Sequence, residues 1–173
     1  LNFYLGIDGR QADQALREAE ERNRLLLSAA GEGIYGLDLE GRTTFVNPAA
    51  ARMIGWEPED LIGKMLHDVI HHTKPDGSPY PKGECRVHAA FMDGKTHRVD
   101  DEVFWRRDGT SFPVEYTSTP ISDRGRPAGT VAVFRDITER RRVAATLEQH
   151  SHALSERVKE LQCLYAISDA VGR

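Results

Sequence analysis

RRDGTSFPVEYTSTPI, residues 106–121, decides the fold. Asp108-Gly109 is a hairpin signal, because Gly enters positive φ without a Cβ penalty and Asp bonds its own backbone two residues on. The flanking runs, HRVDDEVFWRR (97–107) and SFPVEYTSTPI (111–121), are rich in β-branched and aromatic residues and read as its strands. Alternation places Val114, Tyr116 and Ser118 on one face of the second strand, with Phe112, Glu115 and Thr117 less regularly opposed. Pro113 has no N–H to donate, which disfavours a central ladder position at that strand's start. A polar loop over 122–127 leads to a last strand, AGTVAVFRDI (128–137).

Working backward, GIYGLD (33–38) and TTFVN (43–47) form a second hairpin about Glu40-Gly41. Asn47-Pro48 opens a short helix, NPAAARMIG: Asn caps free N–H groups, and Pro is harmless in a first turn. Gly55 ends it. PEDLIG and KMLHDVI are two further helical turns separated by Gly63, and ECRVHAAFMDG is a fourth helix closed by Gly94. The order β-β-α-α-α-α-β-β-β predicts an antiparallel sheet with its helices grouped in the middle, an α+β fold.

Both flanks read as helix. QADQALREAEERNRLLLS (11–28) has no Gly or Pro and carries charges at i,i+4 spacing. Its Ala12, Leu16, Ala19, Asn23 and Leu26 follow the four-three steps of a coiled-coil seam. From Thr138 to about Ala170, Ala144, Leu147, Ser151, Leu154, Val158, Leu161, Tyr165 and Ser168 keep the same steps. Leu147, Leu154, Val158 and Leu161 are the strong positions, and the two serines weaken a seam that needs a partner helix. The expected division is a linker helix over 1–27, a sensor domain over 28–140 and a signalling helix over 141–173.

Composition narrows the function. The formal net charge is −4 and the pI near 6.0, which gives no electrostatic case for nucleic-acid binding. No apolar run approaches the ~20 residues of a membrane span, so no direct membrane contact is expected of this fragment, and the absence of a disulfide framework around its two cysteines favours a reducing, cytoplasmic setting. Cys85 and Cys163 are far apart, in keeping with free thiols. No phosphate-binding Gly loop, G-x-S-x-G or H-E-x-x-H is present. Asp100, Asp101 and Glu102 alternate along a strand and form no single carboxylate site. Catalysis is not expected of this chain.

One stretch, HHTKPDGSPYPKGECRVH (71–88), gathers chemistry-bearing side chains. Cys85 and His88 are three apart on one helical face, and His71 and His72 could approach from the loop. That geometry requires KPDGSPYP to fold back on itself. The simpler expectation is a turn-rich loop packed by its prolines and Tyr80, with His71 and His72 exposed at a helix end and no metal. His150 and His152 are expected to be plain helix-surface residues.

Residues 24–141 resemble a PAS domain. GEGIYGLDLEGRTTFVNPAAARMIGW is similar to that family's first two strands and following helix, and EDLIGKMLHDVI to its short middle helices. RRDGTSFPVEYTSTPI and VAVFRDITERRR are similar to its last three strands and its exit motif. The resemblance implies a five-stranded antiparallel sheet with helices on one face and a small pocket between them. It makes Met65, Val87, His88, Phe91, Val103, Trp105 and Tyr116 pocket candidates, residues that serve equally as core packing. It also makes Asp136, Ile137 and Thr138 a relay from the sheet into the long helix, with Thr138 or Asp136 as that helix's cap.

The same resemblance frames the cofactor. Flavin is not expected, since nothing like N-C-R-F-L-Q is present; CRVHAAF lacks the remaining residues. Haem would use His88 as iron ligand, but the register of the RRDG hairpin does not bring His88 to the family's ligand position. The distal arginine would fall near Asp100 rather than Arg98. A small organic ligand, or none, is expected. LGIDGRQADQAL (5–16) resembles an eroded exit motif of a preceding module, and ELQCLYAISDAVGR resembles the start of a GAF or other linked domain. The implied protein is a homodimeric bacterial two-component sensor, probing its signal here and passing it to a covalently linked output domain such as a histidine kinase. A cyclic-dinucleotide enzyme, a phosphatase, or a ligand-free dimerisation module are the alternatives.

Overall fold

The computed structural model describes the backbone of residues 2–171 and the side chains of 11–162. The chain forms two compact units, one ending at Asp136 and one beginning at Ile137. The first opens with α1 (Asn2–Ala29), followed by β1 (Gly33–Leu37), β2 (Thr43–Val46), α2 (Pro48–Ile54), α3 (Pro58–Leu61) and α4 (Leu66–Ile70). A 3-10 turn at Lys82–Glu84 precedes α5 (Arg86–Asp93), and β3 (His97–Trp105), β4 (Ser111–Asp123) and β5 (Arg126–Asp136) complete the unit. The second unit is the single helix α6 (Thr138–Val171).

The five strands make one antiparallel sheet in the order β2-β1-β5-β4-β3. Chain ends meet at the centre of this order, so β1 lies against β5 while the four helices are inserted between the outer strands. Phe104, Phe112, Val114, Tyr116 and Phe134 project from the sheet into a core shared with Ala50, Ile54, Leu61, Leu66, Ile70 and Val87 of the helices. Phe112 therefore belongs with Val114, Tyr116 and Ser118 on the buried face, a cleaner alternation than the sequence pattern suggests. Glu115 faces the other way and pairs with Arg98.

Turn chemistry sets the register. At Asp108-Gly109 only the glycine has positive φ (81°), so the hairpin is a three-residue loop in which Arg106 N donates to Thr110 O at 2.7 Å. Asp108 Oδ1 accepts from Thr110 N at 2.9 Å. Pro113 pairs with Val103, one residue before β4's ladder with β5 begins at Val114, where its missing donor costs nothing. The polar stretch 122–127 is not a loop. Arg124 (φ 47°) and Gly125 (φ 78°) make a two-residue turn, and strand pairing continues to Asp123 and Arg126. Two successive positive φ angles match the twist of the strands and let both run on.

Of the GAF-like segment ELQCLYAISDAVGR the side chains from residue 163 onward, and of LGIDGRQADQAL those of residues 5–10, lie outside the described residues, as do the seam positions Tyr165 and Ser168.

Candidate functional site

The site grows from LHDVIH (66–71). An α-helical turn brings residues four apart onto one face, and α4 thereby stacks His67 above His71, ring centroids 5.8 Å apart. The chain then folds back. Lys74 N donates to Ser78 O at 2.8 Å and Tyr80 N to His72 O at 2.8 Å, with Asp76 Oδ1 accepting from Ser78 N in the turn. KPDGSPYP is thus a small hairpin, and it returns the chain so that Cys85, at the N-cap of α5, meets α4. His71 is buried where an exposed helix end was expected; only His72 stays outside, stacked on Trp105. The physical reason is the acid beneath it.

A bulge between Val99 and Glu102 turns Glu102 inward while Asp100 and Asp101 stay exposed. Glu102 accepts from Tyr80 Oη at 2.8 Å and Tyr116 Oη at 2.7 Å. His71 Nε2 lies 2.7 Å from Glu102 Oε2, in an off-axis polar contact. On the other side of the same ring, Nδ1 is 3.4 Å from Cys85 Sγ. Tyr80, Phe104 and Tyr116 surround the imidazole edge-on. The result is a buried line, Cys85–His71–Glu102, with two tyrosine hydroxyls holding its acid end. His67 stands beside it, its Nε2 bonded to Tyr80 O at 2.8 Å.

Burial opposes a charged His71 ring, yet Cys85 and Glu102 on its two sides raise its pKa to about 9. Burial would raise the Cys85 thiol, but the imidazoles of His67 and His71 outweigh it and bring it down to about 6. Burial also works against the Glu102 carboxylate, and His71, Tyr116 and Tyr80 together still hold it below the ordinary carboxyl value. Tyr116 is pushed far up, first by burial and then by Glu102. All three shifts run toward the charged forms, thiolate at Cys85, imidazolium at His71 and carboxylate at Glu102.

A cavity of about 30 Å³ adjoins it, walled by Tyr35, Leu66, Val87, His88 and Phe91 together with His67, His71 and Cys85. That space is enough for a single water-sized molecule. Of the candidate pocket residues, Val87, His88 and Phe91 line this cavity. Tyr116 lies in the core beneath and reaches Glu102. Met65, at the N-cap of α4, is not part of the wall. Val103 faces an open groove on the other side of Glu102, and Trp105 clamps the hairpin through a 2.9 Å bond from Nε1 to Thr73 O. Strand alternation explains both, since Phe104 between them is the residue that points into the core.

Cys85 and His88 are not the converging pair. His67 and His71 are, and the H-x-x-x-H spacing in LHDVIH was the legible signal for them. Glu102 was hidden in an acidic run by a bulge that no local pattern announces. At the exit, Asp136 accepts from Arg106 Nη2 at 2.9 Å. α6 begins at Thr138, and in its first turn the Ile137 carbonyl accepts from Arg141 N at 2.9 Å.

The fold and the family agree. The family model described as "PAS fold" matches residues 21–137, and the chain belongs to the PAS family. It is 33% identical over 147 residues to a protein named probable diguanylate cyclase DgcE of Escherichia coli K12, covering 84% of this chain and 13% of that protein. It is 28% identical over 139 residues to the signal transduction histidine-protein kinase AtoS of the same organism, covering 79% of this chain and 21% of that one. Among solved structures, the PAS domain of an HTR-like protein from Haloarcula marismortui superposes with a TM-score of 0.59 at 18% identity, over 74% of this chain and 99% of that one. The chain spans about a fifth or less of the length of these curated relatives. PAS modules similar to this one thus sit in signalling proteins with different named outputs.

Proposed function

We propose that this chain is the regulatory PAS module of a sensor, homodimeric through its C-terminal helix, which relays the state of the core to a downstream output domain. The observation that carries the reading is the surface of α6. Leu147, Leu154, Val158 and Leu161 follow one another at steps of seven, four and three along one seam and are 69%, 67%, 52% and 50% exposed. A helix of this length leaving apolar residues in water along one seam gains by laying that seam against a second copy. Asp136, Ile137 and Thr138 are then the junction through which strand β5 moves the helix. The chain itself has no catalytic role in this scheme, and a histidine kinase in the cytoplasm is the output favoured by the AtoS likeness. The DgcE likeness favours a cyclic-dinucleotide enzyme as a second reading.

Sedimentation equilibrium of the chain across a hundredfold range of micromolar concentration tests the proposal. A mass twice that of the chain, with α6 amides protected from hydrogen exchange as the dimer fills, is the expected result. A chain that stays monomeric with an unprotected α6 would overturn it.

A further inference from the structure

We propose that His67, His71 and Cys85 bind one divalent transition-metal ion of the zinc class, leaving its fourth position open to a water or small anion in the adjoining cavity. Their ligand atoms all lie within 4.8 Å of one another, the one such cluster among the described residues. In a tetrahedral site with metal–nitrogen bonds near 2.0 Å and a metal–sulfur bond near 2.3 Å, ligand atoms sit roughly 3.5 Å apart. His71 Nδ1 and Cys85 Sγ already stand 3.4 Å apart, with the His67 ligand atom within 4.8 Å of both.

The acceptor oxygens beside the two rings indicate which nitrogen is free. Tyr80 O can only accept, so His67 Nε2 carries the proton there and leaves the lone pair on Nδ1. That Nδ1 is buried and makes no hydrogen bond. His71 Nε2 faces the Glu102 carboxylate, again an acceptor, which leaves Nδ1 as the atom turned toward Cys85. Each imidazole is thus oriented by an oxygen behind it, as ligand histidines are in carboxylate–histidine–metal arrangements. Glu102 is itself held by two tyrosines, so the support extends one layer further. One thiolate and two imidazoles select a borderline ion such as Zn²⁺ over Mg²⁺ or Ca²⁺. Binding replaces the proton shared by His71 Nδ1 and Cys85 Sγ with the metal, and releases that proton to solvent. The cavity of about 30 Å³ on the same wall holds the single molecule that completes four-coordination.

The site deepens the sensory reading by giving the module a ligand. The test keeps the two apart. The whole chain, stripped with chelator and reductant, is titrated anaerobically with Co²⁺ and then with Zn²⁺. Saturation at one equivalent is expected, with the visible absorption intensity of tetrahedral Co²⁺ and a near-ultraviolet thiolate band, both bleached by one equivalent of Zn²⁺. Cys163→Ser should keep the spectrum and Cys85→Ser should lose the thiolate band. His67→Gln should weaken binding by about 100-fold or more, and Glu102→Gln by about 10- to 100-fold with the band retained. Circular dichroism confirms that each variant is folded. A weak six-coordinate spectrum, or a thiolate band that survives in Cys85→Ser, overturns the site. So does no binding at micromolar Co²⁺. The mass of the stripped wild-type chain, measured in the same samples, reports on dimerisation separately, so loss of either property leaves the other readable.

Discussion

Glu102 sits third in the run Asp100-Asp101-Glu102, and the β3 bulge gives it a role its neighbours lack. Removing it takes the shared acceptor from His71 and two tyrosine hydroxyls. Glu102→Ala should therefore cost about 3 kcal/mol in urea unfolding, the lower end for breaking a buried charged network. The pH dependence has a definite sign. The folded carboxyl titrates below its ordinary value of 4.5, so its contribution is present above that value and is lost as pH falls through the lowered one. The stability gap between wild type and Glu102→Ala should shrink on acidification below about pH 4.5, and a gap that widens there would refute the argument. Cys85 gives a second reading at this scale. Absorbance of thiolate near 240 nm, taken as wild type minus Cys85→Ser, should rise through about pH 6. The subtraction removes Cys163, and a rise only above pH 8 would mean that the imidazoles do not hold the sulfur as a thiolate. The sequence marks Cys85 and His71 as chemistry-bearing side chains, but not their burial. Burial depends on where a hairpin and a bulge put the chain, which is decided far from either residue.

Among the elements, Asn47 connects three. Its Oδ1 accepts from Ala50 N, the cap of α2, and from Ile34 N in β1, both at 2.9 Å. Its Nδ2 donates to Leu27 O of α1 at 3.0 Å and to Glu32 O at 2.9 Å. One buried amide thus uses its acceptor twice and both its donors. Asn47→Ala should destabilise the fold by about 3 kcal/mol, a cap lost at ~1 kcal/mol plus the stranding of buried backbone groups. Asn47→Asp keeps the cap but sets a carboxylate against two carbonyls, and should unfold at nearly the same urea concentration as Asn47→Ala. If Asn47→Asp matches wild type instead, the amide donors contribute nothing. The cap itself is legible in Asn47-Pro48, because capping is local chemistry. The same holds for the strand order, the Asp108-Gly109 hairpin and the glycine stops. What local chemistry does not settle is length: Arg124 in positive φ turns an expected six-residue loop into a two-residue turn. Nor does it show that Asn47 reaches back to α1, a contact 20 residues away in the chain.

At the scale of the molecule the two compact units place opposite demands on their apolar residues. The unit ending at Asp136 buries Phe104, Phe112, Tyr116 and Phe134 in its core, while its α1 leaves leucines, Leu16, Leu25 and Leu26, exposed as α6 does. α6 exposes its leucines, and an isolated helix in water is sustained by little beyond its own propensity. The apolar stripe of α6 could be read from the four-three spacing, and it is exposed, whereas pocket membership could not, because it follows from which strand residue faces inward. If the seam joins two copies, substituting it should separate assembly from folding. Leu147→Glu with Leu154→Glu puts like charges across the seam at two layers, one on either side of Ser151. The double variant should sediment at half the wild-type mass and lose ellipticity at 222 nm as α6 frays. Urea unfolding followed by the near-ultraviolet signal of the buried tyrosines should shift by less than about 0.5 kcal/mol, the usual effect of surface substitutions. A variant that keeps the dimer mass would show that α6 is not the interface. One that loses near-ultraviolet stability along with mass would show that the core depends on dimerisation, and the relay would then have to run through folding itself rather than through a helix moved by an intact domain.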